Sequence, residues 1–253
     1  MAKYSLDLTV PYMNAAGMLG FTPDKQAALP AGRFGTFVTN PVSLRPRKPA
    51  KGERIVRFSE GVLLHTGHPN PGLSAVIRQY ARRWARLELP VIVHLIGSDP
   101  NEISSMVESL EDLENIAAVE LGLPAEIEPE EAAILCRAAA GELPCIVRVP
   151  PGNALLIGEA ARQAGADAIS IGPARLTLEM EQGESIAGRV YGPAQFPASL
   201  QAVKELAAAG VPVIGAGGIY HPAQAVEMLN AGAAAVQLDT VLWRGGFEAE
   251  IRE

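Results

Sequence analysis

Three times the chain ends a helical pattern on glycine and restarts at once as a strand. The joints are Ala164-Gly165-Ala166 before Ala168-Ile169-Ser170-Ile171, Ala209-Gly210-Val211 before Pro212-Val213-Ile214, and Ala231-Gly232-Ala233 before Ala235-Val236-Gln237-Leu238. Glycine at a helix end accepts the left-handed backbone that other residues resist, so each joint reads as helix, stop, strand. Pro90 ahead of Val91-Ile92-Val93 and Pro144 ahead of Cys145-Ile146-Val147 mark two more strand entries, where a missing N–H costs no ladder bond. Segments at Tyr12 to Ala16, Thr36 to Thr39 and Ala117 to Leu121 bring the candidate strands to eight. Most are continuous apolar runs, as strands buried on both faces must be. Eight units in β-then-α order predict an α/β fold, a single (β/α)8 TIM barrel domain over residues 1–253, a length such barrels reach undivided. Between the strands, Asp99-Pro100-Asn101-Glu102 opens a helix with an N-cap, a proline at the first position and a reciprocal carboxylate.

Charge narrows the partners. With 21 Lys plus Arg against 28 Asp plus Glu, the net charge of −7 opposes a nucleic-acid backbone or an anionic membrane, so a small-molecule substrate is expected. No stretch approaches the ~20 apolar residues that span a bilayer, and the opening MAKYSLDLTVPYM lacks the apolar core of a leader, which predicts a cytoplasmic protein. Cys136 and Cys145 lack the spacing of a metal knuckle or redox pair and read as buried reduced thiols. Four histidines without a HExxH pattern predict no metal site.

Two connections, Asn40 to Asn70 and Pro173 to Gln195, are too long for simple turns and read as functional loops. The first carries Arg45, Arg47, Lys48 and Lys51, read as a solvated cluster, then a Gly-rich stretch from Gly61 to Gly72. In a barrel the strand ends converge on one face. They collect Ala16, Asn40, His94, Gly122, Arg148, Gly172, Gly217 and Thr240. The sharpest element is Gly215-Ala216-Gly217-Gly218-Ile219 after the seventh strand, with Gln237-Leu238-Asp239-Thr240 after the eighth. Paired glycines bring backbone N–H groups close to an anion, and barrels often hold phosphate here. Tight turning alone is the bland alternative.

These residues resemble the dihydroorotate dehydrogenases, FMN-dependent barrels, over almost the full length. Met13-Asn14-Ala15-Ala16-Gly17 is similar to the first-strand motif, usually Ala-Ser-Gly, and Val38 to Arg47 to the second-strand motif. Gly61 to Gly72 resembles the substrate loop, Glu120-Leu121 the Glu-Leu-Asn position, Val147-Arg148-Val149 the lysine-bearing strand and Gly192-Pro193-Ala194 the Ser-Gly-Pro-Ala turn. The resemblance implies FMN held at Ala16, Asn40, Pro41, Gly122, Arg148, Ile171, Gly192, Gly217, Gly218, Asp239 and Thr240. It implies substrate contacts at Leu64, His65, Thr66, Gly67 and His68, and a homodimer. Hydride would pass between substrate and flavin, with Arg148 stabilising the reduced ring and His94 or His65 handling protons. An ion pair with Glu120 is the structural alternative for Arg148.

The departures fall on substrate and ring contacts. Asn40 replaces a lysine, Leu64 and Gly122 replace asparagines, and the pair after the sixth strand is Gly172-Pro173. The loop that brings the family's Cys or Ser base reads Leu123-Pro124-Ala125-Glu126-Ile127-Glu128, whose acids read as ordinary helix-opening residues. Asp239 stands where the motif has glycine, and a carboxylate there competes with phosphate. An oxidoreductase with an altered substrate pocket and inefficient dihydroorotate oxidation is expected. The alternatives are a non-redox barrel for a phosphorylated metabolite and a non-catalytic flavin-binding relative.

Overall fold

The computed structural model describes residues 5–6, 8–23, 34–179 and 185–244. The glycine joints set its rhythm. Gly165, Gly210 and Gly232 take positive φ of 111°, 72° and 106°. The next N–H then reaches back five residues, Ala166 to Ala161, Val211 to Leu206 and Ala233 to Met228, closing three identical helix ends.

The elements are β1 (Tyr12–Asn14), β2 (Phe37–Val38), β3 (Ile55–Phe58), β4 (Gly61–Leu64), α1 (Leu73–Trp84), β5 (Val91–Ile96), α2 (Pro100–Glu111), β6 (Ile116–Gly122) and α3 (Pro129–Ala139). They continue as β7 (Cys145–Val149), α4 (Ala154–Gln163), β8 (Ala168–Ile171), β9 (Arg175–Glu179), β10 (Ser185–Tyr191), α5 (Phe196–Ala208), β11 (Val213–Ala216), α6 (Pro222–Asn230) and β12 (Ala235–Leu238). Eight parallel strands run in the order β1-β12-β11-β8-β7-β6-β5-β2, and a parallel bridge from Met13 to Thr36 joins the two ends. This is the expected (β/α)8 barrel, with its eight strands where the sequence places them.

The two long connections are not loops. They pair with each other as an antiparallel sheet, β3-β4-β10-β9, in which Leu64 faces Arg189 and Val62 faces Tyr191. Val56, Leu63 and Val190 give this sheet its own small core with Leu178 and Ile186. Some 120 residues of intervening chain separate the partners, which is why local pattern does not reveal the pairing.

Outside the barrel, outward strand residues such as Val93, Leu95, Leu121, Val147, Ile169 and Ile171 meet the helices in one core. Asp99 caps α2 through N–H groups of Asn101 and Glu102. Glu102 makes no reciprocal contact and instead faces Arg45 at 3.6 Å. Glu128 caps α3 in a reciprocal box with Glu131, as an opening acid should, whereas Glu126 sits in a turn at φ 54°. Cys136 and Cys145 are buried and free, and their thiols hydrogen-bond each other despite the unpromising spacing. No helix among the described residues is long and apolar enough to cross a membrane.

Candidate active site

Strand alternation builds the barrel interior in layers. Met13, Val38, Ile92, Ala118, Ile146, Ala168, Ile214 and Ala235 form an apolar layer, packed against Leu6 and Leu8. Two residues further along their strands, the inward positions on β5, β6, β7, β8 and β12 are His94, Glu120, Arg148, Ser170 and Gln237. His94 therefore lies inside the strand, which runs on to Ile96, rather than at its end as the sequence reading expects.

Glu120 is the hub of this layer. Fully buried, it accepts hydrogen bonds from Ser170 Oγ at 2.7 Å and Gln237 Nε2 at 2.7 Å on Oε1. Its Oε2 meets His94 Nδ1 at 2.6 Å, with Arg148 Nη1 at 3.9 Å. Burial pushes its pKa up, but His94, Arg148 and the Ser170 hydroxyl outweigh burial and hold it at about 2. Burial pulls His94 below the ordinary histidine range, more than its bond to Glu120 raises it. A charged His94 helps Glu120 ionise, yet burial and the Arg148 guanidinium disfavour that charge. We assign ionised Glu120 beside Arg148, with neutral His94 donating Nδ1–H. That leaves Nε2 as a lone-pair acceptor packed against Gly122, where an added Cβ would fall 2.6 Å from it.

Above this layer the antiparallel sheet roofs the barrel mouth. A cavity of about 1030 Å³ lies between them, lined by Leu64 to His68 on one side and by Gly122 to Glu126, Pro150 to Asn153 and Arg175 on the other. Arg45, Arg47 and Arg189 also face it, against the carboxylates of Glu102 and Glu126. A smaller space of about 40 Å³ reaches down to Ala16, Pro41, His94, Gly122, Arg148 and Gly172, and shares Arg175, Arg189 and His68 with the larger one.

The sequence-predicted residues divide between these places. His94, Arg148, Ala16, Pro41 and Gly122 meet around the small space, and Leu64, His65, Thr66, Gly67 and His68 line the larger cavity. Arg148 also lies 3.9 Å from Glu120, the ion pair weighed in the sequence as the alternative to a flavin contact. Neither loop histidine is simply solvated: His65 Nδ1 meets the carbonyl of Ala187 at 2.6 Å, and His68 Nε2 is buried without a partner. Burial, with Arg189, His94, Arg47 and Arg148 nearby, lowers His68 to about 2. Asn40 is spent on the first loop, where its carboxamide oxygen accepts from Gly20 N–H at 3.1 Å. Ile171 points into the outer core, away from the mouth.

The glycine cradle is occupied by the protein. An added Cβ on Gly217 would meet Ser199 Oγ at 2.5 Å, and one on Gly218 would overlap Phe196 N, so these glycines admit the first turn of α5. Burial raises the pKa of the Asp239 carboxyl; it accepts from Thr240 Oγ1 at 3.2 Å, and the nearby Thr240 and Gly218 N–H groups offset part of the rise. Tyr220 Oη meets the same threonine hydroxyl at 2.6 Å. Gly192 lies against Glu60 and Gly61, lining neither space. Sequence reasoning missed Arg175, Arg189 and Tyr191, which sit on strands read as loop, and Ser170 and Gln237, which pass for ordinary members of apolar strands. Their signal was register: each core strand's inward position two residues after the apolar layer.

The sequence profile described as dihydroorotate dehydrogenase matches residues 3–251. The chain is similar to the protein named dihydroorotate dehydrogenase B (NAD(+)), catalytic subunit, of Desulforudis audaxviator, at 31% identity over 95% of this chain and 85% of that one. The protein of the same name from Pelobacter propionicus is 30% identical over 93% and 84%. In fold it matches the crystal structure of DHODH in complex with ferulenol from Eimeria tenella, with a TM-score of 0.74 at 18% identity, covering 97% of this chain and 83% of that one. A match spanning nearly every element of the barrel and its roof settles the ancestry: the chain belongs to the dihydroorotate dehydrogenase family of oxidoreductases.

Proposed function

We propose that this chain is an oxidoreductase of the dihydroorotate dehydrogenase kind with a rebuilt substrate pocket, acting on a small organic acid at the barrel mouth. The reaction class comes with the family. The observation that carries the substrate class is the cavity of about 1030 Å³, in which Arg45, Arg47, Arg175 and Arg189 outnumber Glu102 and Glu126. Arg148 and His94 lie on the floor of the adjoining space.

FMN is the cofactor the resemblance implies, and when bound it supplies a hydride acceptor. The residues present would hold it only weakly in this arrangement. Asp239 takes the Gly218 N–H that a phosphate needs, and Tyr220 engages Thr240. Tyr191, 5% exposed, stands at the serine position of the Ser-Gly-Pro-Ala motif, and with Arg189 and His68 it leaves only about 40 Å³ above Ala16 and Arg148. What the chain's own residues supply is recognition and proton transfer. The arginines hold an acidic substrate, and His94 Nε2, with its tautomer set by Glu120, accepts a proton in place of the absent Cys or Ser.

The test is the visible spectrum of purified protein, followed by FMN titration and anaerobic addition of small organic acids. Weak, saturable FMN binding is expected, with the bound flavin bleached by an acid. Dihydroorotate itself should bleach it poorly, because Asn40, Leu64, Gly122 and Gly172 offer none of the amides and cations its polar groups need. A colourless protein whose spectrum FMN does not change overturns the redox reading.

A further inference from the structure

We infer that the small space on the barrel axis is an oxyanion pocket, where Arg148, Arg175, Arg189 and His68 converge to take one carboxylate or phosphate group of an acidic ligand. This deepens the reading above by naming the group that anchors the substrate, and it stands on geometry that needs no flavin.

Arg148 on β7, Arg175 on β9 and Arg189 on β10 reach the same space from three strands. Only Arg148 has a carboxylate within ion-pair distance among the described residues, at 3.9 Å, and that carboxylate is already shared by His94, Ser170 and Gln237. The Arg148 side chain is 10% exposed, and its Nε has no hydrogen-bond partner. His68 Nε2 is likewise buried and unpartnered. Arg175 spends one N–H on the carbonyl of Leu123 at 2.9 Å and keeps the rest of its fork. Burial depresses Arg189 to about 10; Tyr191 counters it, and Arg175, Arg148 and Arg47 add smaller repulsions. Holding such charge away from water is unfavourable unless an anion completes it.

Size and chemistry define the ligand. A space of about 40 Å³ is roughly three times the ~10–15 Å³ that admits one water and suits a head group of a few heavy atoms. Guanidinium forks match the paired oxygens of carboxylate and phosphate. The larger cavity shares His68, Gly122, Leu123, Pro150, Arg175 and Arg189 with it and receives the remainder of the molecule. Glu120, Asp239 and Glu126 also lie near these arginines, so the ligand is selected by the unpartnered N–H groups that converge on the space rather than by net charge, and phosphate and a carboxylate such as succinate are both candidates.

The test is calorimetric titration of the whole protein with inorganic phosphate and, separately, succinate, at constant ionic strength in chloride. Saturable binding of at least one is expected, and the stronger of the two names the head group. Arg189→Met should weaken that binding at least tenfold, whereas Arg82→Met, on the exposed face of α1, should not change it. Without anion, Arg189→Met should unfold at the same urea concentration as wild type or higher, because it removes uncompensated charge. A merely structural arginine predicts the opposite. Saturating phosphate or succinate should also weaken FMN binding, since both need the same space. Failure of FMN to bind at all defeats the redox reading and leaves the anion result intact. No saturable binding of either anion, binding indifferent to Arg189→Met, or FMN uptake unaffected by the bound anion overturns the pocket.

Discussion

Glu120→Gln keeps the shape of the barrel's central carboxylate and removes its charge. Three donors converge on Glu120 at 2.6 to 2.7 Å, with Arg148 Nη1 at 3.9 Å, and no surface of the residue reaches water. A glutamine offers one carbonyl oxygen to those donors and turns an amide N–H₂ against the others. Arg148 meanwhile loses its counter-charge. Breaking a buried pair from one side costs about 3–5 kcal/mol. Proton linkage supplies a second figure. The carboxyl falls from 4.5 to about 2 on folding, and at about 1.4 kcal/mol per pKa unit that sets a ceiling of roughly 3 kcal/mol, because a neutral His94 keeps its hydrogen bond but not its Coulombic pull. Because the folded value lies below the unfolded one, this stability is complete above about pH 4.5 and drains away as pH falls towards 2. Urea unfolding followed by tryptophan fluorescence reads it, with Trp84 fully buried as reporter. Taking a urea slope of about 3 kcal/mol per molar for a chain this size, the midpoint should drop by about 1 M near neutral pH. The gap should shrink to about half near pH 3 and close only towards pH 2. A variant within about 0.2 M of wild type at neutral pH, or a gap that persists unchanged in acid, refutes the assignment of a buried, ionised hub.

His68, lowered to about 2, is neutral in the fold and protonates freely once unfolded, so its stability contribution is present above about pH 6.5 and declines below it. His68→Gln should flatten the stability-versus-pH curve between about pH 6.5 and 4.5, a window in which Glu120 does not titrate, as urea midpoints across that range would show. Asp239→Gly frees the Gly218 N–H and should raise FMN affinity at least tenfold, read by quenching of flavin fluorescence; an unchanged affinity shows that Asp239 is not the obstacle. Gly218→Ala places a Cβ against the backbone of Phe196 and Gly217→Ala places one against the Ser199 side chain; both glycines take positive φ, 75° and 96°, so the two share the backbone strain and differ in what the Cβ meets. The first should cost about 2–4 kcal/mol and the second clearly less, and equal losses in a thermal melt would contradict the packing role given to Gly218.

The barrel was legible because its signals are local. A glycine must end each helix where the backbone turns left-handed, and Gly165, Gly210 and Gly232 announce this without any partner. The roof was not legible, because β4 and β10 exist only through each other, and His65 meets Ala187 122 residues away. β3 exposes three of its four residues and β9 shows only weak alternation, so neither carries the apolar run that marks a buried strand. For the same reason Arg175 and Arg189 passed as loop cations.

The cradle shows a different limit. Gly217 and Gly218 are where a phosphate-binding barrel has them, yet the atoms that forbid a Cβ belong to Ser199 and Phe196. A motif records that close approach is required and leaves open what approaches. Asp239 was the one letter that disagreed, and in the fold its carboxylate takes the N–H groups that the motif exists to present. The same substitution logic runs through the mouth. Tyr191 replaces a small residue at the serine position, and Arg189 two residues before it faces the space Tyr191 narrows. Beneath them the Glu120 hub keeps its full set of partners. Glu120 keeps its three buried donors while Gln237 Oε1 stays unpartnered, and above them Arg175 and Arg189 have no carboxylate within ion-pair distance among the described residues. That combination is expected where a retained scaffold has been fitted to an anionic ligand.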